Sequence, residues 1–311
     1  MAKVRYRVRN WPEYNRALVN RYRLEVWLSE DVVQGWYAQP TGRRGRQPVY
    51  SDLALTFCLT IRALLDLPLR GCQGLLESVL AGLDLNLAVP DYSVMCRRAR
   101  SLKVELPVRR HGVAVHLVMD SSGLKVYGEG EWKVRAHGWS KRRTWRKLHL
   151  GVDEATQEVL VARVTEAGVA DSRMQVELLP EVDAPLSRVG GDGTYDRAEA
   201  WTAIAERRAE ALIPPRRNAR VWRHGNRDGP RLQRDEHLRR IRQVGRRRWK
   251  LESGYSRRSL AETTFGRLKG IFGDRLRSRV FGNQATEGLL KVRALNVMTG
   301  LGMPDSYPAN N

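Results

Sequence analysis

The stretch Gly112-Val-Ala-Val-His-Leu-Val-Met-Asp120-Ser-Ser-Gly123 decides the fold of this chain. Its first eight residues are mostly apolar or β-branched, which is typical of a buried strand. The run ends at an acidic residue followed by a short polar segment. Residues 123–127 are predicted to form a hairpin partner for this strand. Helical periodicity precedes the stretch, and strand and helix patterns alternate after it.

The residues that follow predict an α/β core. Residues 145–153 alternate as a strand, with Leu148, Leu150 and Val152 on one face, and return through 154–157 into a strand at 158–165. A helix at 172–179, a strand at 187–190, a helix at 197–208 and a strand at 211–214 come next. Antiparallel strands followed by alternating helices and strands describe an RNase H-like (retroviral-integrase-like) core with a mixed five-stranded sheet.

The residues before this core predict an all-α domain. Ser51 can cap a helix that stops at Pro68, a second helix covers about 70–80, and Asp91 or Ser93 can cap a third helix that reaches Leu102. This order predicts a helix-turn-helix-like arrangement whose third helix reads DNA through Arg97, Arg98 and Arg100. A generic three-helix unit with a solvated basic face is the alternative.

A glycine- and arginine-rich loop lies between the first aromatic residues and this domain. It covers residues 41–48 and contains Arg43, Arg44 and Arg46. Such segments resemble the arms that enter the minor groove in DNA-binding proteins, and a plain basic linker fits equally well.

The charge of the chain favours a polyanionic partner. The 311 residues contain 55 Lys and Arg against 34 Asp and Glu, for a formal net charge of +21. Since such an excess repels itself in a compact state, we expect nucleic acid to neutralise it. The three cysteines form no CxxC pair, which argues against a structural zinc site and a disulfide framework. The longest apolar stretch, 53–69, is interrupted by charges and proline, so no membrane segment is expected.

Two acidic residues are placed for metal chemistry. Asp120 follows the first predicted strand, and Asp192 follows the strand at 187–190. These strands are neighbours in the predicted fold, so both side chains should lie at one edge of the sheet. Phosphodiester chemistry uses two divalent cations about 3.5–4 Å apart, held by converging carboxylates. An aspartate that only caps a loop is the alternative reading for each residue alone.

A more specific pattern follows the basic region. In Tyr255-Ser-Arg-Arg-Ser-Leu-Ala-Glu-Thr-Thr-Phe-Gly-Arg-Leu-Lys269, the side chains of Arg258, Glu262 and Lys269 fall roughly 300°, 340° and 320° round a helix from Tyr255. A stripe with a phenol, a guanidinium, a carboxylate and an ammonium suits a metal-bound phosphate. An exposed helix with an Arg258–Glu262 ion pair explains only part of it.

The spacing Tyr-x2-Arg-x3-Glu-x6-Lys resembles the signature of DDE transposases from bacterial insertion sequences. The segments at 120–125, 145–153 and 192–196, together with 89–93 in the helical region, are similar to the insertion-sequence-five type within that group. The resemblance covers nearly the whole chain. Some relatives place a large β insertion between the second aspartate and the glutamate, whereas residues 216–254 here are short and rich in arginine.

The resemblance implies a set of roles and partners. Asp120, Asp192 and Glu262 would bind two Mg²⁺ ions, for which Mn²⁺ can substitute, while Tyr255, Arg258 and Lys269 would position phosphates at the transposon ends. The partners would be double-stranded DNA of the terminal inverted repeats and of the target, bound by a homodimer, with no membrane and no small-molecule substrate. The setting would be the cytoplasm of a bacterium or archaeon, at the nucleoid.

The expected domains are a basic helical DNA-binding domain (1–106), a catalytic domain (107–303) with a basic helical insert (216–254), and a flexible tail (304–311). From 207 to 258 there are eighteen Lys and Arg against five acidic residues, with Trp222 and Trp249 between them. Trp249 could hold an unpaired base, although packing is the commoner role. His149 is interpreted as structural, and Asp153, Asp171 and Asp196 as turn or cap residues.

Two other functions remain open at this point. One is an RNase H-fold nuclease, such as a junction resolvase, which hydrolyses DNA without strand transfer. The other is a DNA-binding repressor on a catalytically inactive scaffold. The stripe from Tyr255 to Lys269 argues against the first, and the intact acidic triad argues against the second.

Overall fold

The computed structural model describes residues 5–40, 42, 44–45, 47–109, 112–126, 145–223 and 232–309. The chain divides into two compact units, one made of residues 1–109 with 280–311 and the other of residues 110–279. The sequence predicted a catalytic domain that extends to residue 303. In the structure, residues 280–311 belong to the same unit as the N-terminal residues. Arg43, Arg46 and Tyr127 lie outside the described residues.

The N-terminal part of the first unit is mainly helical, as predicted, but it is not all-α, because it begins with a strand. Its elements are β1 (Arg5–Val8), α1 (Trp11–Asn20), α2 (Leu24–Trp27), α3 (Glu30–Gln34), α4 (Asp52–Leu64), α5 (Leu69–Gly82) and α6 (Tyr92–Ala99). Ser51 caps α4, since its side chain accepts from the Ala54 N–H at 3.1 Å. Asp91 caps α6 by accepting from the Ser93 N–H at 2.7 Å. The three predicted helices are therefore confirmed.

The connection between α5 and α6 differs from a helix-turn-helix. Residues 83–91 separate the two helices, whereas the motif uses a turn of about three to four residues. This longer connection packs back on the helices, because the indole N–H of the fully buried Trp36 donates to the Ala88 carbonyl at 2.8 Å. The helices therefore form a packed bundle with a long connection.

The C-terminal residues complete this unit with helix α12 (Phe281–Leu301) and strand β8 (Ser306–Ala309). Asn283 donates to the Cys96 carbonyl at 3.1 Å, and Thr286 donates to the Ala99 carbonyl at 2.6 Å, so α12 satisfies the open end of α6. Strand β8 pairs antiparallel with β1. The tail expected to be flexible is thus ordered by a strand partner at the other end of the chain.

The second unit contains the mixed sheet and its helices. Its elements are β2 (Val115–Val126), β3 (Trp145–Asp153), β4 (Val159–Glu166), α7 (Asp171–Leu178), β5 (Leu186–Gly190), α8 (Ala198–Glu206), β6 (Glu210–Leu212), α9 (Gln233–Val244), α10 (Arg246–Glu252), α11 (Ser259–Phe272) and β7 (Arg275–Leu276). The predicted alternation of strands and helices is confirmed.

The sheet has six strands among the described residues, one more than predicted. Five follow the order β4-β3-β2-β5-β6, and β7 pairs with the far end of β2. Strand β3 is antiparallel to both β2 and β4, while β5 is parallel to β2 and to β6. The extra strand has two residues, which is too short for a period-2 pattern to reveal.

Strand β2 is continuous where the sequence predicted a hairpin. It runs from Val115 to Val126 and pairs with β3 along nearly its whole length, including Ser121 opposite His149. A Cβ atom at Gly123 would lie 3.0 Å from the Trp145 ring. Gly123 therefore gives room to the aromatic ring of the facing strand and does not mark a turn.

Helices cover both faces of this sheet. Ser121 contacts α7 through Asp171, and the next residue, Ser122, contacts α11 through Lys269. Because successive strand residues point to opposite faces, α7 and α11 lie on opposite sides. Leu148, Leu150 and Val152 of β3 are fully buried. Among the described residues, no helix has the length and apolar character needed to cross a membrane.

Candidate active site

The parallel pairing of β2 and β5 brings two acidic residues to the same level. Val118 of β2 is paired with Gly190 of β5. Asp120 and Asp192 each lie two residues further along the chain, so they stand side by side at one edge of the sheet. The predicted proximity is a consequence of this register, although Asp120 lies within its strand and not at the strand's end.

A tight turn fixes Asp192. Its Oδ1 accepts from the Thr194 N–H at 2.8 Å and from the Thr194 hydroxyl, and it begins the short 3-10 helix Gly193–Tyr195. The preceding Gly191 lies against the buried Tyr195 ring, where a Cβ atom would come within 2.9 Å of the ring. A side chain does not fit at Gly191 unless the Tyr195 ring shifts, so the close packing of this turn requires glycine at that position.

The predicted stripe from Tyr255 to Lys269 is divided between two helices. Tyr255–Arg258 form a 3-10 helix, and α11 begins at Ser259. Arg258 still reaches Glu262 one turn later with one guanidinium nitrogen, and another nitrogen lies 3.7 Å from the Asp120 carboxylate. A single cationic side chain thus bridges acidic residues that are far apart in sequence.

Lys269 lies at the other end of the stripe, in the last turn of α11. Its ammonium group donates to the Ser122 hydroxyl at 2.6 Å, two residues after Asp120. The two basic residues of the stripe therefore both contact β2 beside Asp120. The Asp120 carboxylate therefore lies between the cationic groups of Arg258 and Lys269. Two cations placed in this way are suited to binding a phosphate.

The acidic residues interact electrostatically. Burial raises the pKa of Asp120, and the nearby charges of Asp192 and Glu262 raise it further, while the Ser121 N–H and Arg258 act in the opposite direction. Burial also raises the pKa of Tyr255, whose ring lies 5.9 Å from the Arg258 guanidinium carbon. The site therefore concentrates negative charge in a partly desolvated place.

The donors at this edge are of the kind that hard divalent cations prefer, since carboxylate oxygens bind Mg²⁺. In the described part of the chain, no group of three or more histidine, cysteine or acidic side chains is arranged to hold a metal ion. Arg258 instead bridges Asp120 and Glu262. The chemistry of the donors fits a divalent cation, and Arg258 would have to give up these contacts to make room for one.

Two family models match the chain. Both are described as "Transposase DDE domain", and they cover residues 19–129 and 111–297. The second match spans more than half of the chain. The protein belongs to the DDE transposase family. The transposase assignment expected from the signature is thereby confirmed.

A structural neighbour of the transposase is the cryo-EM structure of a piggyBac transposase synaptic complex with hairpin DNA. The two chains share 11% identity over 90% of this chain and 73% of the other, with a TM-score of 0.42. A likeness this distant supports no conclusion about the fold or the site.

The basic residues predicted to read DNA have different environments. Arg44, Arg97 and Arg100 are exposed. Arg98 is half-buried and pairs with the Asp52 carboxylate at 2.6 Å. Of the arginines predicted to read DNA from α6, Arg98 thus has an acidic partner at the start of α4.

Trp249 of the transposase is buried and its indole N–H donates to His237 Nδ1 at 3.2 Å. Its ring also packs against Tyr255, with 5.8 Å between ring centroids. The ring therefore has no exposed face on which a base could stack, and Trp249 has the packing role that was the alternative at the level of sequence.

Two acidic residues, Asp171 and Asp196, contact side chains that are distant in the sequence. Asp171 accepts from Ser121 and Lys147, directly behind Asp120, and Asp196 forms a buried ion pair with Arg234 at 2.6 Å. Asp171 begins α7 and Asp196 ends the 3-10 helix Gly193–Tyr195, so both stand at helix ends, but the sequence did not predict these long-range contacts. Asp153 accepts from the turn N–H groups of Ala155 and Thr156, as a turn residue. No local signal identifies either partner.

Proposed function

We propose that this transposase binds the terminal inverted repeats of an insertion sequence and catalyses Mg²⁺-dependent DNA end cleavage and strand transfer. The observation that supports this best is the register of β2 and β5, which aligns Asp120 with Asp192, together with the bridge from Arg258 to Asp120 and Glu262. We further propose that the core is RNase H-like and that the protein is of the insertion-sequence-five type.

In this proposal Asp120, Asp192 and Glu262 hold the divalent cations. Bound Mg²⁺, or Mn²⁺ in its place, would neutralise charge on the phosphodiester and lower the pKa of an attacking water. The side chain of Glu262 is about half exposed, at 54%. It can turn towards the aspartates at little cost in packing, since it is held only by Arg258 among its described contacts.

The cationic side chains then act on the phosphate of the transposon end. Arg258 offers a planar fork of N–H donors that matches two phosphate oxygens, and Lys269 offers a mobile point charge. Tyr255 lies beside Arg258 and donates its phenolic proton to a third oxygen. The three side chains orient the phosphate for in-line attack without forming a covalent bond to it.

The proposed reaction has two steps, cleavage of the DNA end by water and strand transfer by the 3′-hydroxyl. In cleavage, the oxygen of water bonds to phosphorus and a 3′-oxygen leaves as the 3′-hydroxyl of the element. In strand transfer, that hydroxyl attacks a target phosphodiester and displaces another 3′-hydroxyl. Cleavage leaves a 5′-phosphate on the flanking strand, and strand transfer forms one phosphodiester for the one it breaks, with the proton of the attacking hydroxyl passing to the displaced oxygen. Since hydrolysis is favourable and the transfer exchanges like bonds, no external energy source is required. Joining two ends requires two active sites, from which we propose a homodimer on DNA.

The DNA-binding surface is proposed to include the basic insert and the exposed arginines of the N-terminal unit. Helix α10 exposes Arg247, Arg248 and Lys250 just before Tyr255. The net charge of +21 supports the same conclusion, because phosphate contacts release counterions and so drive binding at low salt. The cytoplasm, at the nucleoid, is the setting in which such a protein would meet its DNA.

The test uses duplexes that contain the DNA bordering the gene on each side. Asp120→Ala, Asp192→Ala and Glu262→Ala should each lower the rate of end cleavage by at least about 10²–10³-fold, while binding measured by fluorescence anisotropy is retained. Glu199→Ala, which removes an exposed acid from α8, is the matched control and should cleave normally.

Other outcomes would point to other functions. Normal cleavage by any of the three variants removes that residue from the site. Cleavage of branched DNA without preference for the bordering sequences, and without joining, would indicate a resolvase-like nuclease. Sequence-specific binding with no cleavage at any Mg²⁺ or Mn²⁺ concentration would indicate a DNA-binding repressor.

A further inference from the structure

A second polar cluster lies on the opposite face of β2 from Asp120. The Ser121 hydroxyl donates to Asp171 Oδ1 at 2.7 Å, and the Lys147 ammonium donates to the same oxygen at 3.1 Å. Lys147 also donates to the Val169 carbonyl at 2.8 Å. These contacts connect the first residue of α7 to two strands of the sheet.

The cluster is shielded from water. Asp171 and Lys147 keep 19% and 24% of their side chains exposed, and the neighbouring His149 is 1% exposed. His149 Nε2 is 2.9 Å from the Thr165 hydroxyl, and its Nδ1 faces Asp171 at 3.5 Å. Bonds in such a place are stronger than on the surface, and losing one partner leaves the others unsatisfied.

Ser121 connects this cluster to the acidic edge. While its hydroxyl faces Asp171, its backbone N–H donates to Asp120 Oδ1 at 2.9 Å. We propose that Asp171, balanced by Lys147, is a positioning residue that fixes Ser121 and, through the Ser121 N–H, holds the Asp120 carboxylate in its working orientation. This inference rests on the proposed function of Asp120.

The position of Asp171 supports this role over a simple helix-start role. An acid in the first turn of a helix is favourable for the helix dipole wherever its side chain points. The Asp171 carboxylate, however, accepts from a strand residue 50 positions earlier and from Lys147, 24 positions earlier. The ammonium of Lys147 also prevents Asp171 from adding a further uncompensated negative charge beside Asp120.

The experiment compares Asp171→Asn, Asp171→Ala, Ser121→Ala and the double variant Asp171→Ala/Ser121→Ala. The substrate is the same bordering-sequence duplex, and folding is checked by the thermal transition. Loss of a group that orients a metal-binding residue costs about 10- to 100-fold in activity or metal affinity. We expect kcat to fall by that factor in Asp171→Ala and by less in Asp171→Asn, which still accepts from Ser121, while KM for DNA is unchanged.

Two further readouts separate positioning from a general structural role. The Mg²⁺ concentration for half-maximal cleavage should rise in Asp171→Ala. The double variant should be no slower than the slower single variant, since both act on one chain of contacts. Glu199→Gln on α8 also removes an acid from the first turn of a helix and should change none of these quantities.

The result that overturns the inference is distinct from the result that overturns the proposed function. If Asp171→Ala cleaves at the wild-type rate with the wild-type Mg²⁺ requirement, while Asp120→Ala is inactive, Asp171 does not position Asp120. A multiplicative loss in the double variant would also contradict the inference. If Asp120→Ala itself cleaves normally, the proposed function fails.

Discussion

The guanidinium group of Arg258 lies 3.7 Å from the carboxylate of Asp120. The same side chain also binds Glu262 on the next turn. Partial burial acts to lower the pKa of Arg258, yet Tyr255, Glu262 and the two aspartates raise it above its usual value. Arg258 therefore stays charged and offsets the repulsion between acidic groups that the fold brings together.

Removing this charge should move the pH profile of cleavage. Burial raises the pKa of Asp120 and Arg258 lowers it, so Arg258→Gln should raise the pKa of Asp120 further. Since the proposed reaction needs ionised Asp120, the acidic limb of the profile should shift to higher pH. The measurement is the single-turnover cleavage rate as a function of pH.

The matched control for this prediction is the adjacent arginine. Arg257 is 60% exposed and pairs with Glu154, so Arg257→Gln should leave the acidic limb where it is in the wild type. An acidic limb that stays in place in Arg258→Gln, or that moves to lower pH, would contradict the electrostatic role of Arg258.

Lys269 is expected to contact DNA phosphate. Lys269→Met should weaken binding of the end duplex and reduce the slope of log K against log salt by about one, as expected for the loss of one phosphate contact. Ser122→Ala removes the hydrogen-bond partner of Lys269 but keeps its charge, and should leave the slope unchanged. Equal slopes for Lys269→Met and the wild type would show that Lys269 only supports the fold.

A buried ion pair should make a large contribution to stability. Arg234 and Asp196 are 2.6 Å apart, and 4% and 1% of their side chains are exposed. Asp196 also accepts from the Arg216 N–H, and Asp235, 3.4 Å from Arg234, accepts from the Trp222 N–H. Arg234→Met leaves two buried carboxylates without their cation, which should cost about 3–5 kcal/mol in the free energy of unfolding.

Urea denaturation measures this loss. Arg188→Met breaks the more exposed pair of Arg188 with Glu210 and is the matched control, with an expected cost of at most about 1 kcal/mol. If the two arginine variants lose the same stability, the buried pair does not anchor residues 216–223 as its contacts indicate.

His149 should make stability depend on pH. Burial lowers its pKa to about 4, with Asp171 opposing the shift and Lys147 adding to it. The folded state therefore binds fewer protons than the unfolded one. The contribution of His149 is complete above pH about 6.5 and is lost as the pH falls from there through about 4, by about 3 kcal/mol in total.

As the pH falls through this range, the stability of His149→Gln should decrease less steeply than that of the wild type. Urea denaturation at several pH values measures the difference. Thr165→Val removes the partner of His149 Nε2 but keeps the imidazole. This variant should be less stable than the wild type, and its stability should still decrease steeply as the pH falls. Parallel curves for the wild type and His149→Gln would show that folding does not lower the pKa of this imidazole.

The sequence alone determined those features whose signals are local. The cap at Ser51 and the alternation along β3 each depend on residues within one helix or strand, and each was found where expected. The spacing from Tyr255 to Lys269 was predicted for one helix, and the structure divides it between a 3-10 helix and α11. The family assignment was also available from these motifs. Periodicity and capping depend on interactions between residues that are close together in the chain, so the amino-acid sequence is enough to predict them.

Only the tertiary structure decided which distant residues meet. The contacts of Asp171 with Ser121 and of Asp196 with Arg234 join residues 50 and 38 positions apart, and α12 joins the N-terminal unit through bonds that span 187 positions. The continuous pairing of β2 with β3, in which Trp145 lies over Gly123, was likewise absent from the local pattern. Polar groups that are buried together must form hydrogen bonds with one another. Which groups are buried together depends on tertiary packing and not on their spacing along the chain.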